Sequence, residues 1–184
     1  MDNGASSYRR FLNGDDNGLA EIIRQYNTGL TLYINSFVGN ISVADELSEE
    51  VFVKIGVKKP RFSEKSSFKT WLYAIGRNVA TDYLRKASKA ESVPLDACFS
   101  LAGEQFPETD VLKNEENTQL YQAMQKLKSD YRQVLWLSYF EDFSNKEIAS
   151  VMKKSAHSIE TLTYRARNAL REELRKEGFV YENI

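Results

Sequence analysis

The sequence predicts an all-α protein, two small helical domains joined by an acidic linker, and three observations carry that prediction. Apolar residues recur at steps of three and four over several long stretches, the period of a helix face. No Asn-Gly or Asp-Gly pair stands between alternating runs as a hairpin requires; Asn3-Gly4, Asn13-Gly14 and Asn17-Gly18 all lie ahead of a helical pattern. Residues 88–116 lose the periodicity, carry Pro94, Gly103 and Pro107, and separate two periodic blocks. The expected organisation is a domain over 1–88, a linker over 89–116 and a second domain over 117–184.

In the first block, Leu19, Ile22, Ile23, Tyr26, Leu30, Tyr33, Ile34 and Phe37 form one stripe that ends near Gly39. Ser42 and Asp45 read as a capping box opening the next helix. Ala44, Leu47, Val51 and Ile55 face inward there, and Asp45, Glu46, Glu49 and Glu50 lie off that stripe. Lys58 to Ser67, with Pro60 and several serines, is a loop. From Ser67 a third helix places Phe68, Leu72, Ile75, Val79 and Tyr83 on one side. Thr70, Ala74, Arg77, Thr81 and Arg85 fall on the other, with Trp71, Tyr73 and Asn78 at the borders. Aromatic and Arg side chains beside an exposed face are unusual for a plain surface helix.

In the second block, Val111 to Leu127 reads as a helix with Leu120, Ala123, Met124 and Leu127 apolar. Ser129 or Asp130 caps the next, with Tyr131, Val134, Leu135 and Leu137 inward, and Glu141 and Asp142 read as surface residues of a turn. Ser144 and Glu147 form a second capping box, opening a short helix with Ile148, Ala149 and Met152 apolar. After Lys153-Lys154, Ser155 caps a last helix to about Lys176, with Ile159, Leu162, Ala166, Ala169 and Leu170 inward. His157, Thr161, Tyr164, Asn168 and Arg171 point outward, flanked by Ser158, Arg165 and Arg167. A short helix, a tight turn and a longer helix make the helix-turn-helix outline.

Composition narrows the function classes. The longest uninterrupted apolar run is Trp71 to Ile75, too short to span a bilayer, so no direct membrane contact is expected. The opening MDNGASSYRR lacks an apolar export segment, and the cytoplasm is the expected compartment. One His and one Cys, Cys98, leave no material for a Cys/His metal cage or a His-based triad. The expectation is a protein without an active site, cofactor or metal. The net charge of −1 hides a strong segregation: residues 58–90 carry a net +7, residues 1–57 a net −4 and residues 91–117 a net −6. A cationic block of that density attracts phosphate whatever the total charge.

Four stretches in two blocks resemble the sigma-70 family of bacterial RNA polymerase specificity subunits, and most of all its small extracytoplasmic-function (ECF) class. ADELSEEVFVKI (Ala44–Ile55) is similar to the family's polymerase-docking helix, and SFKTWLYAIGRNVATDYLRK (Ser67–Lys86) to its −10 helix. LKSDYRQVLWLSYFEDFSNKEIASVMKK (Leu127–Lys154) and YRARNAL (Tyr164–Leu170) resemble the domain that binds the −35 element. The resemblance implies a factor that binds core RNA polymerase and promoter DNA, reading −35 as duplex and −10 as an opened strand. It implies docking through Asp45, Glu46, Glu49, Glu50 and Phe52, where acidic side chains suit a basic partner. It implies −10 contacts from Arg61, Phe62, Lys65, Lys69, Trp71, Tyr73, Arg77, Asn78, Arg85 and Lys86, the aromatics stacking on an unpaired base. It implies −35 contacts from Lys153, Lys154, His157, Ser158, Glu160, Thr161, Tyr164, Arg165 and Arg167. An anti-sigma factor is a partner that the family often has.

One segment departs from the family pattern. Where Val-Lys-Ser-Arg-Leu is common, this chain has Ile159-Glu160-Thr161-Leu162-Thr163, which replaces two cations by a carboxylate and an apolar side chain. A free-standing dimeric helix-turn-helix regulator and a sigma-mimicking polymerase adaptor are the alternatives. A regulator needs neither an acidic docking helix nor an aromatic and basic helix; an adaptor would bind polymerase without opening DNA.

Overall fold

The computed structural model of the chain describes residues 3–91, 115–176 and 178. Among these the chain forms eight α-helices and no strand: α1 (Asn3–Leu12), α2 (Asn17–Val38), α3 (Ile41–Lys58), α4 (Phe68–Glu91), α5 (Glu115–Gln125), α6 (Ser129–Tyr139), α7 (Asn145–Met152) and α8 (Ala156–Lys176). Most of the expected linker, with Cys98, lies outside the described residues; α4 runs three residues into it.

Local chemistry sets most helix ends. α2 stops where Gly39 takes a left-handed conformation at φ 75° and its N–H bonds the Asn35 carbonyl. α3 starts earlier than its sequence suggests: Asn40 is the cap, its side chain accepting from the Val43 N–H, and Ser42 lies inside the helix. Asn40 wins because its extended backbone and short amide reach the N3 donor. Ser67 caps α4 by accepting from the Thr70 N–H at 3.1 Å. The helix after residue 127 has Lys128 at its cap with no side-chain bond, so neither Ser129 nor Asp130 caps it. The Ser144/Glu147 capping box is complete in both directions, and Ser155 accepts from the Ser158 N–H at 3.1 Å.

Helix α1 was not anticipated, although Ala5, Tyr8 and Phe11 recur at steps of three and are all buried. It crosses α2 closely enough that any side chain at Gly18 would collide with the Ser7 carbonyl and the Phe11 backbone. Tyr8 donates to the Pro60 carbonyl at 2.7 Å, tying α1 to the loop before α4, and burial pushes its phenol up to about 12.

Helices α1–α4 pack as one bundle and α5–α8 as a second, and the two bundles also pack on each other. α6 lies against α2 and α7 against α4, so the apolar core runs through both without a break. For that reason residues 31–38 of α2 are buried all the way round, although helical periodicity alone predicts one buried stripe. The second bundle closes around Trp136, which stacks on Phe140 at 4.3 Å and meets Tyr121 edge-on at 6.0 Å.

Candidate nucleic-acid interface

Helix α4 presents three faces, not two. Phe68, Leu72 and Val79 enter the core of the first bundle. Trp71, Asn78 and Arg85 recur on a second, more open face, about half a turn round from Lys69, Tyr73 and Arg77 at 100° per residue. On the open side Trp71 packs at 5.3 Å from Phe62, Phe68 and Tyr8 in one aromatic cluster. Arg61 and Lys65 are exposed in the loop that carries Phe62, and Glu64 in that loop takes a left-handed φ of 56° and pairs with Arg9 at 3.6 Å. Further along, Arg85 and Lys86 are exposed, and Arg85 pairs with Asp82 at 3.4 Å. Tyr83, expected inward, is exposed beside them.

The third face is covered by the second bundle. Tyr73 is buried and meets Phe143 edge-on at 5.3 Å, which corrects its placement at a border facing nucleic acid. Burial raises the Tyr73 phenol well above its ordinary value, and the Glu141 carboxylate that it bonds adds to the rise. Lys69 pairs with Glu141 at 2.8 Å and lies 5.0 Å from the Phe143 ring centre. Arg77 donates through Nε to Gln133 Oε1 at 3.1 Å. Thr70, expected on an open side, is buried and donates to Glu147 at 3.2 Å. Glu141 is no surface turn residue: its side chain is 9% exposed, whereas Asp142 beside it is exposed with φ 55°.

Helix α8 shows the opposite condition. His157 is 90% exposed, Tyr164 is 68% exposed, and Ser158, Glu160 and Arg165 also face solvent, with Thr161 half-buried. Ile159, Thr163, Ala166, Leu170 and Leu174 are its buried stripe. Thr163 thus holds an inward position and Leu162 is only half-buried, which shifts the inward pattern expected from Leu162. Arg167 lies 5.6 Å over the Tyr139 ring and so also serves packing against α6. Lys153 ends α7 in a left-handed turn at φ 54°, and Lys154 pairs with Asp130 at 3.1 Å.

On α3, Asp45, Glu46, Glu49 and Glu50 are exposed as a ridge, and Lys54 pairs with Glu50 at 3.7 Å. Phe52 is buried in the core, so it positions α3 and offers no surface to a partner. Two residues absent from the sequence reading extend the ridge: Val53 and Val57 are exposed, at i+4 and i+8 from Glu49. Their signal was legible, since they lie off the Ala44–Ile55 stripe on the acidic side.

Among known proteins, residues 22–90 match the family profile described as Sigma-70 region 2, and residues 117–170 match that described as Sigma-70, region 4. The chain belongs to the sigma-70 family. It resembles the ECF RNA polymerase sigma factor SigW of Bacillus subtilis, at 29% identity over 88% of this chain and 91% of that one. The RNA polymerase sigma-H factor of Pseudomonas aeruginosa is also 29% identical, over 88% of each chain. The fold is shared with the sigma factor RpoE, solved in complex with the anti-sigma factor NepR from Bartonella quintana. The TM-score is 0.71 at 21% identity, over 85% of this chain and 96% of that one. It is shared as well with CnrH in complex with the cytosolic domain of CnrY, at a TM-score of 0.66 and 21% identity over 95% and 99%. The protein is an ECF-type RNA polymerase sigma factor that directs transcription initiation, a DNA-binding regulator of a family that is not enzymatic. No helix among the described residues of this sigma factor is long and apolar enough to cross a membrane.

Proposed function

We propose a division of labour in which α1–α4 dock on core polymerase and open the −10 element, while α5–α8 read the −35 duplex. The observation that carries this reading is the Phe62–Trp71 aromatic pair beside exposed Arg61 and Lys65, the equipment for holding an unpaired base against a phosphate strand. Trp71, Asn78, Arg85 and Lys86 continue that track along α4, and Lys69 and Arg77 join it only where the second bundle moves away. The exposed face of α8, with His157, Ser158, Thr161, Tyr164 and Arg165, enters the major groove, and Lys153 and Lys154 approach phosphate at its N-terminal end. The acidic ridge of α3, finished by Val53 and Val57, meets a basic partner surface. The charges orient the encounter and the valines supply desolvated contact. The protein works in the cytoplasm, holds no active site of its own, and is controlled by an anti-sigma factor like those bound to its structural neighbours.

In vitro transcription from a fragmented genomic library, with core polymerase alone and with this protein added, tests the reading. New start sites sharing two elements at a fixed spacing are the expected result. New start sites that share only one element, or two at no fixed spacing, would overturn the division between the two bundles.

A further inference from the structure

We propose that helix α1, which lies ahead of the residues matched to region 2, is the positioning element of the Phe62 loop. Tyr8, Arg9 and Phe11 hold residues 59–64 in a preformed conformation and so set how sharply a −10 base is discriminated. The inference rests on the reading of that loop given above. Three contacts carry it, from three positions within about one turn of α1. The Tyr8 hydroxyl donates to the Pro60 carbonyl at 2.7 Å, and the Arg9 guanidinium pairs with Glu64 at 3.6 Å. Lys59 Nζ lies 4.7 Å from the Phe11 ring centre. The loop is thus gripped at Lys59, Pro60 and Glu64, on either side of Arg61 and Phe62 in sequence.

The loop needs holding. Among the described residues four that are not glycine take a left-handed φ, and two of them, Lys59 at 43° and Glu64 at 56°, frame this loop. Lys59 does so directly before Pro60, where the proline ring ordinarily pushes its neighbour to an extended backbone. Such conformations persist only where the surroundings over-determine them, and they gather at ligand clamps. Here α1 supplies the surroundings. Tyr8 is buried, and with its phenol raised by that burial it stays a donor at any working pH. Its ring lies 5.3 Å from Trp71 and 5.6 Å from Phe68, the same two rings that Phe62 packs on. One side chain therefore fixes both the loop backbone and the aromatic face beside it. Helix α1 is itself closely seated, since any side chain at Gly4 would collide with the Phe68 ring. The Arg9–Glu64 pair is exposed on both sides and carries the smaller share. A loop ordered in advance loses little freedom when a base enters, so releasing it weakens binding of an accepted base more than binding of a strand that lacks one.

The test uses holoenzyme of core polymerase and the full-length chain, on a promoter found by the transcription experiment above and prepared as a pre-melted bubble. Each non-template base of the −10 element is replaced in turn by an abasic residue, and the loss of binding that each replacement causes is measured. In the parent one position is expected to dominate, and Phe62→Ala is expected to flatten it. Tyr8→Phe keeps the ring and removes only the hydroxyl. It is expected to lower the loss at that position about fivefold, the equivalent of one hydrogen bond, with the other positions unmoved. Arg9→Glu is expected to lower it about twofold, the share of an exposed pair, and adding Glu64→Arg to restore it. An abasic profile unchanged by both Tyr8→Phe and Arg9→Glu, while Phe62→Ala flattens it, overturns the positioning role alone and leaves the loop as the reader. Equal losses on intact and abasic templates in Tyr8→Phe also overturn it, because α1 would then serve only the fold. If Tyr8→Phe loses its helical circular dichroism, the charge swap decides: restoration supports the positioning role and an unmoved profile overturns it. A parent with no dominant position, or with one that Phe62→Ala leaves standing, overturns the reading of the loop and this inference with it.

Discussion

On α8 the side chains assigned to duplex DNA stand in solvent, with His157, Tyr164 and Arg165 all open. On α4 the side chains assigned to the opened strand are divided. Trp71 and Arg85 are accessible in part or in full, while Lys69, Tyr73 and Arg77 are engaged by the other bundle. On the proposed division of labour, the difference follows from what each surface would read. A duplex groove is always present on DNA, so a rigid and exposed helix is sufficient to sample it. An unpaired base exists only after strand separation, and its reader gains from aromatic faces held by neighbours: Trp71 and Phe62 each rest on Phe68.

The largest break in this comparison is expected from Trp71→Ala combined with Phe62→Ala. At about 1–3 kcal/mol per stacked base, opening of a linear promoter falls about 10- to 100-fold. A pre-melted bubble template stays usable, because the cost of separating the strands has been removed. Run-off transcription on the two templates measures both, and an equal loss on each would show that the cluster serves the fold instead. Next in size is reversal of Asp45, Glu46, Glu49 and Glu50 to lysine. All four are exposed, so the fold is retained while core-polymerase affinity drops about tenfold or more at low salt and less at high salt. Titration of labelled protein onto core at two ionic strengths checks this, and unchanged affinity would remove the docking role.

A smaller effect separates the bundles by stability. Ser144→Ala deletes the side-chain cap of α7 and is expected to cost about 1 kcal/mol. Hydrogen exchange should place the loss in α7 and α8, with α2 and α3 unchanged. Glu147 belongs to the same capping box and also crosses to α4. Burial alone would raise its pKa, but hydrogen bonds from Ser144, Thr70 and Ser67 outweigh that and hold it below the ordinary carboxylate value. A depressed folded pKa gives stabilisation that is present above the unfolded value of about 4.3 and is lost as pH falls through the folded one. Thermal unfolding between pH 7 and 3 should therefore show an acid-side loss that Glu147→Gln makes smaller. An identical pH profile in the two proteins would mean that these bonds carry no weight.

Much of this was legible in the sequence because it is written locally. The Gly39 stop, the Ser144/Glu147 box and the Ser155 cap each depend on residues within four positions of one another. The inward stripe of α3 was equally readable, since Ala44, Leu47, Val51 and Ile55 repeat at helical spacing. What escaped depends on partners far along the chain. Glu141 looks like a turn residue until Lys69, 72 positions earlier, is brought to it. Tyr73 lies at a helix border by periodicity, and only Phe143 from the second bundle makes that border an interior. Helix α1 is a different failure: Ala5, Tyr8 and Phe11 have the right spacing, but a stripe of three residues flanked by Asn-Gly pairs is too short for periodicity alone to mark a helix.

The smallest effect concerns the open face of α8. Glu160 is exposed there, 4.0 Å from His157 Nδ1, in a segment where the family commonly has a lysine. If α8 enters the groove as proposed, a carboxylate at its edge repels phosphate and lowers affinity for arbitrary duplex. Glu160→Lys is expected to raise binding to random duplex and to steepen the slope of log affinity against log salt by about one, the signature of a single added phosphate contact. The corresponding change at Glu50, on the exposed acidic ridge proposed for docking, should leave that slope unchanged. A salt titration of the two variants on one random duplex distinguishes them. If the slopes agree, Glu160 stands off the DNA, and the exposed stripe of α8 meets the groove through His157, Tyr164 and Arg165 alone.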